Sequence, residues 1–89
     1  MQKQTMQTDY KDCLIALSLS TEEGAVLKIN GIVRDRLPLP REAQWSMRLN
    51  STVQTDYEWH EFIEARLSCS QTVISIVVLA NGEKIMSHP

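Results

Sequence analysis

Two Asn-Gly dipeptides, Asn30-Gly31 and Asn81-Gly82, each sit beside runs of apolar and β-branched residues. Asn followed by Gly supplies the two positive φ angles of a type I′ turn, whose twist matches that of the strands it joins, so each dipeptide predicts a β-hairpin. The first hairpin spans Ala25 to Arg34, and the second joins a strand over 72–80 to Glu83-Lys84-Ile85-Met86. Val and Ile crowd the stretch from Val73 to Ala80, as they do in a central strand.

The same period of two runs through much of the chain. Cys13, Ile15, Leu17 and Leu19 share one parity while Asp12, Ala16 and Ser18 take the other, the pattern of a half-buried strand. Trp45, Met47, Leu49 and Val53 alternate with Ser46, Arg48, Asn50 and Thr52 in the same way. Leu37-Pro38-Leu39-Pro40 must stay extended, because each proline lacks a donor and turns its predecessor away from helix; it reads as an edge segment or crossover. Residues 1–9, rich in Gln and Thr without apolar periodicity, read as a flexible N-terminal arm.

The stretch after residue 55 supports two readings. As a helix it has Thr55 and Glu58 at capping-box spacing and Trp59, Phe62, Ile63 and Leu67 on one stripe, with Arg66 falling inside that stripe. As a strand, positions 57–69 alternate apolar and polar except at Glu61 and Phe62, a fault that a bulge at those two residues repairs. The strand is preferred. The expected fold is therefore mainly β, a small antiparallel barrel or sandwich of about six strands within residues 10–87, with α+β and one helix at 56–67 as the alternative.

Gln7-Thr8-Asp9-Tyr10 recurs letter for letter as Gln54-Thr55-Asp56-Tyr57. Each copy precedes a Leu-Ser-x-Ser echo, at Leu17 and at Leu67, and then an Asn-Gly pair. An internal duplication of 7–31 as 54–82 would give both halves a strand, turn, strand plan and the sheet a pseudo-twofold axis.

Charge bounds the function. Eighty-nine residues with a net charge of -2 fit one domain and are too nearly balanced to be held to nucleic acid by bulk charge. The balance hides a segregation: residues 28–48 carry Lys28, Arg34, Arg36, Arg41 and Arg48 against Asp35 and Glu42, whereas 56–64 carry Asp56, Glu58, Glu61 and Glu64 without a base. The expected function is a non-enzymatic protein–protein interaction module, acting as a small regulator, inhibitor or accessory subunit. Its partner contact would be Asp56, Tyr57, Glu58, Glu61 and Glu64, or the basic region. A core this small gains from a partner subunit, so a homo-oligomer is expected, and the two charged segments could also pair across a homodimer. The alternative is a nucleic-acid or nucleotide-phosphate-binding β domain using Arg34, Arg36, Arg41 and Arg48, with Trp45 as a stacking platform.

No catalytic residue, metal or cofactor is expected. The three glycines make no phosphate-cradling loop, no serine sits in a Gly-x-Ser-x-Gly turn, and His60 with Glu64 lacks further ligands at metal spacing. Cys13 and Cys69 lie in apolar stretches without a Cys-x-x-Cys pair and read as buried thiols. The early apolar run from Cys13 to Leu19 follows Asp9 and Asp12, unlike a signal peptide. Val73 to Ala80 falls well short of the roughly 20 residues of a membrane-spanning helix. A cytoplasmic location, away from membranes, is the expectation.

Overall fold

The computed structural model of the chain describes residues 3–56, 59–71 and 73–88, with side chains outside 54–56 and 59. Eight strands follow one another: β1 (Gln4–Tyr10), β2 (Cys13–Ser20), β3 (Gly24–Ile29), β4 (Ile32–Leu37), β5 (Gln44–Asp56), β6 (Trp59–Ser70), β7 (Val73–Ala80) and β8 (Glu83–His88). They form two antiparallel meanders, β1-β2-β3-β4 and β5-β6-β7-β8. The inward rows Ile15, Leu17, Leu19, Leu27 and Ile29 of the first sheet meet Leu49, Ile63, Leu67, Ile76 and Val78 of the second in one core. Mainly β is therefore correct, and of the two architectures the chain takes the sandwich: β1 and β8 belong to separate sheets, so no barrel closes.

Both Asn-Gly turns form as expected, with φ of 53° and 80° at Asn30 and Gly31 and 52° and 83° at Asn81 and Gly82. Each asparagine does more than tolerate the left-handed conformation. Asn30 Oδ1 accepts from Leu14 N at 2.8 Å, and Asn81 Oδ1 accepts from Phe62 N at 2.8 Å, so each turn is tied to the strand beyond its own hairpin. Gly24 has a different task. Its φ is +80°, and a Cβ there would stand 2.3 Å from the carbonyl oxygen of Leu37, so only glycine lets the start of β3 pass the end of β4.

Three expectations are corrected. The arm assigned to residues 1–9 is strand from Gln4 onward: Met6, Thr8 and Tyr10 are half-buried and alternate with exposed Thr5, Gln7 and Asp9. Polar side chains at both parities had masked that period. The described residues make eight strands where about six were expected. The preferred strand reading of the stretch after residue 55 holds, because Trp59–Ser70 pairs with β5 on one side and β7 on the other, giving its backbone partners on both edges, and the alternative helix at 56–67 does not form where the chain is described. The bulge falls between Gln54 and Asp56 instead of at Glu61-Phe62. Glu61 consequently keeps its place in the inward row and Phe62 its place in the outward one.

The two meanders share details beyond their strand order. With Leu14 and Asn30 set against Phe62 and Asn81, the β3–β4 bulge at Leu27/Lys28 coincides with the β7–β8 bulge at Val78/Leu79. On this correspondence Gln7, the partner of Ala16, matches Asn50, the partner of Glu64. The Gln-Thr-Asp-Tyr copies thus occupy different places in their hairpins.

Candidate functional site

The outer face of the second sheet gathers charge and hydroxyls in register. Ser46, Ser68 and Ser75 lie side by side across β5, β6 and β7, and the next row carries Arg48, Arg66 and Val77. These six line a shallow depression of about 470 Å³. Arg48 and Arg66 are directly opposite one another, a like-charge pairing that weakens a sheet unless something offsets it. Glu64 does so: Arg48 Nε stands 3.5 Å from Glu64 Oε2, and Arg66 Nη2 is 3.2 Å from Oε1. The carboxylate is about 10% exposed while both guanidiniums are more than half exposed. One buried anion therefore holds two cations side by side with most of their N–H groups still facing solvent, and one positive charge is left over.

This arrangement draws on both charged segments seen in the sequence. Arg48 belongs to the basic segment and Glu64 to the acidic one, and the β5–β6 hairpin brings them together within one chain. Arg66 escaped the sequence reading because its role shows only once β5 and β6 are paired in register. The other predicted anion contacts are scattered. Arg34 is exposed in the β4 bulge, Arg36 lies on the first sheet opposite Val26, and Arg41 is exposed in the connection between β4 and β5. Trp45 is corrected as a stacking platform: it shares the inward parity of Met47 and Leu49 and packs, half-buried, against the core. Asp56, Tyr57 and Glu58 lie where side chains are not described.

Glu61 is also corrected as an exposed partner contact. It is 1% exposed and accepts from Tyr10 Oη at 2.9 Å, from Lys11 Nζ at 2.6 Å and from Asn81 Nδ2. Tyr10 and Lys11 come from the first sheet and its β1–β2 turn, Glu61 and Asn81 from the second, so this carboxylate joins the two sheets at one end of the sandwich. Burial and the hydrogen bond to Glu61 push the Tyr10 hydroxyl above its ordinary pKa, and the bond to Glu61 raises that of Lys11. At the side of the sandwich a second carboxylate acts similarly: Asp35 Oδ2, on β4, accepts from Asn50 N of β5 at 2.8 Å.

Cys13 and Cys69 are both free thiols. Among the described residues no three His, Cys, Asp or Glu side chains converge as metal ligands do, and no helix is long and apolar enough to cross a membrane. No known protein family, curated protein or solved structure matches the chain.

Proposed function

We propose that this protein is a non-enzymatic interaction module of the cytoplasm, a small regulator, inhibitor or accessory subunit, whose outer β5–β7 face receives an anionic group from a partner protein. The observation that carries this reading is the cross-strand Arg48–Arg66 pair steadied by Glu64 beside three serines. Two guanidinium forks fixed in advance lose little freedom on binding, and the serine hydroxyls add donors that suit a phosphoryl or carboxylate group. A single surplus charge in a bounded depression fits one anionic side chain better than a polyanion. A nucleic-acid track needs several cations along a stripe, and Arg34, Arg36 and Arg41 lie on other elements. Self-association belongs to the same proposal.

Fluorescence anisotropy with a short phosphoserine peptide, its unphosphorylated form and a single-stranded oligonucleotide tests it. The phosphopeptide should bind, and Arg48→Ala with Arg66→Ala should weaken it by roughly 10- to 100-fold, as the loss of one or two charge-assisted hydrogen bonds implies. Failure of the phosphopeptide to bind at about 50 mM salt would overturn the reading. Preferential oligonucleotide binding, steeply weakened toward about 200 mM salt and abolished by Arg34→Ala with Arg36→Ala, would replace it with the nucleic-acid alternative.

A further inference from the structure

The two seams of the sandwich differ. Between β4 and β5 the sheets are stitched by Asp35 and Asn50, whereas between β1 and β8 the edges run unpaired and a cleft of about 210 Å³ opens toward the core. Its walls are Met6, Leu17, Leu19 and Ile76, and Gln4, Thr5 and His88 stand with them. Leu17, Leu19 and Ile76 are core residues, so the cleft reaches the sandwich interior.

We propose that this cleft binds a small molecule with an apolar aromatic or short alkyl body and one polar end. Size and chemistry choose the occupant. An apolar cavity of about 150 Å³ stays dry and admits benzene, so the cleft has room for a somewhat larger body. Water gains little from walls of Leu, Ile and Met, which offer it no hydrogen bonds, whereas the amide of Gln4 and the imidazole of His88, whose positions pair with Leu19 and Ile76, suit a polar end at the mouth. An inserted β-strand is excluded by spacing: it would hold its neighbours about 9.5 Å apart, while β1 and β8 approach within 8 Å between Cα atoms. The site is separate from the arginine face, and neither proposal depends on the other.

Indole added to the isotope-labelled full chain, followed by amide NMR shifts, provides the test. Saturable shifts should centre on β1, β8 and the neighbouring stretch of β2, with a Kd of roughly 1 mM or below. Met6→Trp, which fills the cleft, should weaken indole at least about tenfold. Gln4→Trp, at an exposed position opposite Leu19 that leaves the core intact, should do likewise by covering the mouth. The proposal is overturned by an absence of saturable shifts, by shifts centred elsewhere, or by unchanged affinity in folded forms of both variants. Sedimentation completes it: a dimer joined through β1 and β8 that indole does not dissociate would mean a second copy occupies the seam, and would also overturn it.

Discussion

The two meanders solve the same problem with different residues. Each uses an Asn-Gly turn, an asparagine oxygen bonded to the neighbouring strand, and a bulge at the same place after that turn. Their ends diverge. In the first meander the β1–β2 hairpin closes on the pair Tyr10–Cys13; the corresponding pair in the second is Val53–Glu61. Where the first sheet has a buried thiol, the second has a buried carboxylate, and the first supplies Tyr10 and Lys11 to satisfy it. The second meander also lengthens its hairpin and places Arg48 and Arg66 opposite each other on its outer face. What the sheets share builds the core, and what separates them builds the polar joint and the candidate binding face.

The joint offers the largest effect. Lys11→Met removes a cation from the Glu61 carboxylate inside the sandwich. Removing one partner of a buried pair destabilises because it leaves the other charge uncompensated; with Lys11 half exposed and Tyr10 and Asn81 still donating, a clear fall in the denaturation midpoint is expected. Adding Glu61→Leu should recover most of that loss, since an apolar residue there gives the second meander the dry end that Cys13 gives the first. Urea denaturation of the two variants measures both steps. A double variant no more stable than Lys11→Met would show that the carboxylate is needed for more than its charge.

The paired asparagines allow a subtler comparison. Glycine at Asn30 or Asn81 keeps the positive φ and deletes only the side-chain bonds. Asn30→Gly loses the acceptor for Leu14 N, whereas Asn81→Gly loses the acceptor for Phe62 N and the donor to Glu61 as well. The second substitution should therefore be the more damaging by on the order of 1 kcal/mol, read from the same denaturation curves. Equal losses would mean that Asn81 contributes nothing to the joint.

How far the residues themselves announced this depends on whether the information was local. Turn chemistry and period-two burial are local, so both Asn-Gly hairpins, β2, β5 and β7 could be read directly. Pairing between distant strands is not. Residues 4–10 carry only Met6 and Tyr10 as large inward side chains, and that strand becomes visible only when β2 is beside it. Glu61 and Phe62 break the alternation because a buried carboxylate is acceptable only where other elements bring it donors, and Tyr10 and Lys11 lie some 50 residues earlier in the chain while Asn81 lies 20 residues later. Local charge density marks Arg48, but its connection to Arg66 and Glu64 is a matter of register. The apparent opposition of a basic and an acidic segment was real in composition and folded into one hairpin.

The smallest effect concerns alkaline pH, and it also separates the two ends of the sandwich. Tyr10 is raised by burial and then by its hydrogen bond to Glu61, and Lys11 is raised chiefly by its bond to the same carboxylate. Both groups hold their protons more tightly folded than unfolded, so near and above about pH 10 the unfolded chain releases protons first and stability falls as pH rises. Below that range both states are protonated at these groups and the stabilisation is fully present. Glu61→Gln removes the negative charge while keeping an amide able to bond Tyr10, so it should weaken the effect on both groups and flatten the loss. Denaturation midpoints collected from about pH 8 to 11 for the wild type and Glu61→Gln give the comparison. Curves that converge as pH rises place the alkaline sensitivity at the joint between the sheets; curves that stay parallel place it elsewhere, because lysines and tyrosines away from Glu61 titrate alike in both proteins.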